Sequence, residues 1–265
     1  MFIDNKSNQT LWLLGDSHAN YLALAGEKVA NSLKKNLKLY TTSSTPFPPI
    51  SRYQKRSKKN DLRRLDDQRY LKKDLYRQIK VGDVILLSMR LPFYFGGTYY
   101  LPQKNYRFFR EDGSLLSREN HFNEWISALV NLANIAEKKG AKVIIQTATP
   151  EWEQHYLIPK CSKSNLQWFN SIQKIDCQIK SKFFIDKETG SYKNLFEKLN
   201  QLSTSHENIY LFDTYKVVCP ESKCNFTRDG IDIYYDDHHI SYEWARDFLA
   251  PEIYNFINAM ETMEK

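Results

Sequence analysis

The chain of 265 residues is 42% hydrophobic and 26% charged, with 14% aromatic residues and a formal net charge of +7. That composition excludes a disordered tail, a collagen-like repeat and a disulfide-dense miniprotein, and it supports a sizeable core. No run approaches the ~20 apolar residues of a membrane-spanning helix. The opening MFIDNKSNQT also lacks the basic and apolar regions of a signal peptide. As written, the sequence reads as soluble, and any export must be carried by something outside it.

In chain order, the first apolar run is 10–15, which ends at Gly15 and passes through Asp16-Ser17-His18 into a helical pattern over 18–35. Further short apolar runs follow at 37–42, 83–89, 142–147 and 208–212. Each is nearly continuous in hydrophobicity, as expected of parallel strands buried on both faces. Helical patterns fall at 61–79, 119–139, 189–205 and 241–259. The alternation predicts a three-layer α/β/α sandwich with a five-stranded, mostly parallel sheet. One domain, 1–265, carries insertions at about 41–60, 90–118 and 151–188. All three leave from the C-terminal ends of strands, the edge where open parallel sheets bind ligands.

The charge is concentrated. Residues 51–80 hold twelve Lys/Arg against four Asp, a surplus of +8 that exceeds that of the whole chain. Leu62, Leu65, Leu71, Leu75 and Ile79 recur there at helical spacing, so half of the run reads as an amphipathic helix with a solvated basic face. The rival reading is an anionic contact, such as a membrane surface or an acidic glycan.

The four cysteines are Cys161, Cys177, Cys219 and Cys224. Local pairing, 161–177 and 219–224, is the simplest of three connectivities and implies an oxidising compartment. Four free thiols are the alternative. A zinc site is less favoured, because neither pair has CxxC spacing and no His stands beside them.

Two stretches carry chemistry. Ser17 stands at a strand-to-helix turn, where a serine is either a nucleophile or an N-cap. Asp236-Asp237-His238-His239 precede the last helix and therefore reach the same sheet edge from the other end of the chain. An Asp at i and a His at i+3 can pair through Nδ1, leaving Nε2 for a serine. A charged helix entry is the plain alternative. Metal binding is the rival chemistry, weakened because the cluster comes from one loop with no companion on another segment.

LWLLGDSHA at the start, PFPPI after the second strand, DVILLSMR at the third, the cysteines around 161–177 and CPESKCNFTRDGIDIYYDDHHISYEWA at the end form an ordered set. Together they resemble the SGNH hydrolase superfamily. More narrowly, they resemble the SGNH domains of acyltransferase family 3 proteins, which O-acetylate bacterial surface glycans. The resemblance implies a flavodoxin-like SGNH fold. It implies Ser17 as nucleophile, His239 as base and Asp236 as the residue orienting it, with the Ser17 N–H as an oxyanion donor. The superfamily's further oxyanion donors, a Gly after the second strand and an Asn after the third, are missing. Arg90, in the place an Arg commonly takes in the narrower group, is the candidate oxyanion or substrate contact, with a structural ion pair as the alternative. Phe93, Tyr94 and Tyr99 are candidate glycan contacts or parts of a self-packed lid.

The function implied is serine-dependent O-acyl (acetyl) transfer to carbohydrate hydroxyls of a bacterial surface polysaccharide, without cofactor or metal. A free-standing glycan O-acetyl esterase and a non-catalytic glycan-binding relative are the alternatives. The expected partners are a carbohydrate acceptor, an acyl donor and a membrane acyltransferase domain, fused or separate, with no nucleic acid. The expected location is periplasmic or extracytoplasmic, tethered through the membrane partner, because this chain shows no targeting segment of its own.

Overall fold

A computed structural model describes residues 1–50, 52–54, 58–95, 107–110, 112, 114–151, 161, 178–179, 191–220 and 224–262. The central sheet has six strands: β1 (Phe2–Ile3), β2 (Thr10–Gly15), β3 (Asn36–Thr41), β4 (Val84–Ser88), β5 (Lys142–Gln146) and β6 (Ile209–Phe212). Their spatial order is β1-β3-β2-β4-β5-β6. The last five are parallel, and β1 pairs antiparallel with β3 through Phe2↔Lys38 and Ile3↔Leu37. The five strands read from the sequence are all present, and among the described residues β1 adds a sixth. A two-residue strand is too short to show periodicity, and its pairing, rather than its composition, defines it.

The helices that position the site are α1 (Ser17–Tyr21), α2 (Ala23–Ser32), α3 (Lys58–Gln78), α4 (Leu91–Phe95), α5 (Arg118–Lys138), α6 (Ser191–Ser205), α7 (Thr214–Val218), α8 (Tyr242–Trp244) and α9 (Ala250–Thr262). A π-turn, Ala245–Leu249, joins α8 to α9. Strand alternation sends Leu11 and Leu13 to one side of the sheet, where they meet Ala25 and Val29 of α2 and Ile253 and Ile257 of α9. Trp12 and Leu14 go to the other side, against Leu75 of α3 and Trp125 and Leu129 of α5. Each fully buried Leu or Ile contributes about 1.5–3 kcal/mol relative to exposure. The two cores hold the three layers together.

The apolar stripe of α3 is buried at Leu65, Leu71 and Leu75. Its other face carries exposed i,i+3 and i,i+4 ion pairs, Arg63–Asp67, Arg69–Asp66 and Arg77–Asp74, each worth a few tenths of a kcal/mol. Half of the basic run is therefore an amphipathic helix. Among the described residues, no helix is long and apolar enough to cross a membrane.

His121 of α5 is fully buried, its ring stacked on Phe108 at 4.1 Å. Its Nδ1–H donates to the Tyr94 carbonyl at 3.1 Å. Burial pushes the imidazole down to about 4, the hydrogen bond opposing only in part. The unfolded imidazole titrates near 6.5. Below that pH the unfolded chain takes up a proton that the folded chain refuses, so stability falls as pH drops from about 6.5 to about 4, then levels off. At ~1.4 kcal/mol per unit the loss is about 3 kcal/mol. His121→Gln keeps a donor, and the difference between its urea midpoints at pH 7 and pH 4.5 is expected to be smaller than that of the wild type. An equal difference rejects the assignment.

Candidate active site

Five parallel strands in the order β3-β2-β4-β5-β6 reverse direction of winding between β2 and β4. In open α/β sheets that switch point opens a crevice at the carboxyl ends of the strands. Gly15 ends β2 opposite Ser88 of β4, and Asp16, Ser17 and His18 follow directly.

Asp16, not Ser17, caps α1. Its Oδ1 accepts from the His18 N–H at 2.8 Å, while Oδ2 accepts from the Arg90 N–H at 3.1 Å and the Tyr94 hydroxyl at 2.7 Å. One buried carboxylate thus ties the start of α1 to the end of β4 and to α4. Burial pushes its carboxyl up, against the lowering effect of the Tyr94, His18 and Arg90 hydrogen bonds. The capping alternative for Ser17 falls away, and its hydroxyl is left for another partner.

That partner is His239. The turn 236–239 is built on Asp236, whose Oδ1 accepts from the N–H groups of His238 at 3.0 Å and His239 at 2.8 Å. Oδ2 accepts from Nδ1 of His239 at 2.7 Å. The opposite ring nitrogen, Nε2, lies 2.8 Å from Ser17 Oγ. Burial alone raises the Asp236 carboxyl, but the His239 hydrogen bond and the neighbouring imidazoles outweigh it and hold the group well below the carboxylate range. An ionised Asp236 selects the tautomer with the proton on Nδ1, so the Nε2 lone pair faces the serine hydroxyl. This relay can deprotonate Ser17 as it attacks a carbonyl carbon.

Tyr21 holds the ring from its face, stacked on His239 at 4.3 Å and 19°. Tyr242 stacks on Tyr21 at 4.7 Å, and its hydroxyl accepts from Asn20 Nδ2 at 2.8 Å. Tyr235 lies 5.4 Å from Tyr21 and is 65% exposed. The spacing of Tyr21 from Ser17, four residues on one helix face, was the signal available for it. Tyr235 and Tyr242 flank the DDHHIS stretch, where nothing in the pattern separates them from core tyrosines.

The family model of SGNH domains fused to AT3 domains matches residues 2–254. The chain belongs to that family. Among solved structures, this SGNH domain is similar to the periplasmic domain of the lipopolysaccharide acetyltransferase of Salmonella ser. Paratyphi A. The TM-score is 0.61 at 16% identity, over 94% of this chain and 83% of that one. It also matches protein YxiM of Bacillus subtilis, with a TM-score of 0.44 and 16% identity, over 96% of this chain and 57% of that one. No curated protein matches its sequence significantly.

The structure corrects one sequence expectation, the glycan contact read for Tyr94. Tyr94 is fully buried and spends its hydroxyl on Asp16, and Phe95 packs on Trp125 at 4.6 Å. These rings brace the site from below and offer no face to a sugar. Phe93 is half-buried, edge-on to Tyr94 at 5.0 Å, and Tyr99 lies outside the described residues. For Arg90 the structure shows the ion pair named as the alternative. Its Nε and Nη2 donate to the two carboxylate oxygens of Glu151 at 2.8 and 2.6 Å, both side chains nearly buried. Its backbone N–H goes to Asp16. The residue ties β4 to the loop after β5 as a buried bidentate pair, and the structure gives it no hydrogen bond to Ser17. Glu151 had no signal in the sequence, since its partner is 61 positions away.

Cys219 and Cys224 are bridged, with Cα atoms 4.2 Å apart. The bridge closes a short loop after α7, upstream of the 236–239 turn, and is worth about 2 kcal/mol in chain entropy. Cys161 is disulfide-bonded too, and Cys177 lies outside the described residues. The metal alternative also changes, because His18 supplies the companion from a second segment. Its ring lies 5.0 Å from His239 and 5.6 Å from His238. Burial, reinforced by the neighbouring imidazoles, keeps His18 well below the usual histidine range and neutral.

Proposed function

We propose that this domain is a serine O-acyltransferase that places acetyl groups on carbohydrate hydroxyls of a bacterial surface polysaccharide. The observation that carries the reading is the Ser17–His239–Asp236 relay at the switch point, with both hydrogen bonds under 3 Å. Ser17 Oγ attacks the acyl carbonyl while Nε2 of His239 takes its proton. The oxyanion is met by the Ser17 N–H, one of the orphan donors at the start of a helix. Collapse expels the donor's leaving group, which takes the proton from His239. A sugar hydroxyl then gives its proton to Nε2, attacks the acyl-enzyme and leaves as the ester, and Ser17 regains its hydrogen.

Family membership supports a membrane acyltransferase partner, since these domains are described as fused to AT3 domains. The likeness to the periplasmic part of a lipopolysaccharide acetyltransferase supports a glycan acceptor and an extracytoplasmic location. The two Cys pairs fit an oxidising compartment. The exposed Tyr235, close to the Tyr21 ring that stacks on the base, supplies a flat apolar surface with a polar tip on which a sugar ring can stack.

The test is mass spectrometry of the chain after mixing with an activated acetyl ester. One acetyl group is expected on the peptide that contains Ser17, and it is expected to leave faster with a polysaccharide acceptor than in buffer. Release only as free acetate favours the esterase reading. Absence of any adduct or turnover favours a non-catalytic glycan-binding relative.

A further inference from the structure

His18 is more than nine-tenths buried, and its Nε2 has no hydrogen-bond partner. A buried ring nitrogen without a partner requires an explanation. Around it stand two Asp–His pairs. Asp236 holds Nδ1 of His239, and Asp237 holds Nδ1 of His238 at 2.7 Å. Only the first pair is used by the proposed chemistry. In metal sites, a carboxylate on one imidazole nitrogen fixes the ring and raises the basicity of the other nitrogen, which ligates. The rings of His238 and His239 are 4.0 Å apart, and a ring nitrogen from each of His18, His238 and His239 lies within 4.8 Å of the others.

We propose that His18, His238 and His239 form a site for Zn2+ whose occupation takes His239 away from Ser17. Three imidazoles select zinc, copper or nickel over magnesium or calcium, which prefer oxygen ligands. Nitrogens bound at about 2.0–2.1 Å to a tetrahedral ion stand about 3.4 Å apart. The rings therefore close by about an ångström on binding, and His239 cannot then keep its hydrogen bond to Ser17. The metal is thus a reversible inhibitor rather than part of catalysis. The inhibition rests on the acyl-transfer reading above, whereas the binding does not.

The experiment is equilibrium dialysis of the purified chain against Zn2+ alone, repeated with Ser17→Ala, His18→Gln, His238→Gln and Asp237→Asn. Wild type and Ser17→Ala are each expected to bind one ion per chain, the variant at least as tightly, since it has no hydrogen bond to His239 to give up. His18→Gln and His238→Gln are expected to lose at least about tenfold, as is Asp237→Asn through its imidazole. Thermal melts identify any variant that fails to fold. The visible spectrum of the wild type with Co2+, showing intense tetrahedral bands, is expected as a readout independent of variants. No saturable Zn2+ uptake, unchanged affinity in a folded His18→Gln, or preference for Mg2+ overturns the site. If Zn2+ binds as stated but leaves acetyl-ester turnover untouched, the inhibition fails while the site stands. If no turnover exists in metal-free protein, the acyl-transfer reading fails instead.

Discussion

Ser17→Ala is expected to lower turnover of a nitrophenyl acetate at least about a thousandfold, leaving the melting temperature unchanged. The first half follows from covalent catalysis, since without the hydroxyl no acyl-enzyme forms, and the residual rate is what binding and the oxyanion donor supply. The second half follows from Asp16. Because Asp16 and not Ser17 caps the helix, removing the serine oxygen costs one partly exposed hydrogen bond, to His239, and no backbone partner. His239→Ala is expected to fall to a similar level, and the double variant barely further, because the two act as one unit. Turnover within about tenfold of wild type in Ser17→Ala rejects the nucleophile.

Gly15→Ala is expected to fail at the level of folding. A Cβ built on Gly15 lies 1.8 Å from the Ser88 carbonyl oxygen and 2.8 Å from its carbon. Those atoms belong to the backbone of β4, paired with β2 in the middle of the sheet, and cannot rotate aside as a side chain can. The two central strands have to separate at the point that carries Asp16 and Ser17. Losses of about 4–5 kcal/mol or more are expected of such a clash, equivalent to a fall in melting temperature of about 10 °C or more in a chain of this size. A soluble variant that melts within a few degrees of wild type would show that the sheet yields more cheaply than this packing implies. Gly15 thus gives clearance for the strand and Asp16 the cap, which leaves the Ser17 oxygen to the role that the acyl-transfer reading assigns it.

Much of this architecture was legible beforehand. Strand β2 coincides with the apolar run read from the sequence, and the other four parallel strands shift by a residue or so at their ends, because near-continuous hydrophobicity is a strong signal for doubly covered strands. The long helical pattern over 18–35 breaks at Leu22 into α1 and α2, which no propensity marks. The meeting of Ser17 with His239 and Asp236 was reachable from topology plus i,i+3 spacing. What escaped were interactions defined only by three-dimensional neighbours. Tyr94 stays between glycan contact and self-packed lid until Asp16 is found at its hydroxyl, and Arg90 stays between substrate contact and ion pair until Glu151 appears. Burial decides such roles, and the local pattern around these residues did not reveal it.

The relay spans 222 positions of chain between Ser17 and His239, and the Asn20–Tyr242 hydrogen bond spans the same interval. Bringing two points that far apart together costs about 5 kcal/mol of loop entropy, which only the finished sheet and both flanking cores can offset. On the acyl-transfer reading, Ser17 therefore has its base only once the 236–239 turn has been seated against α1.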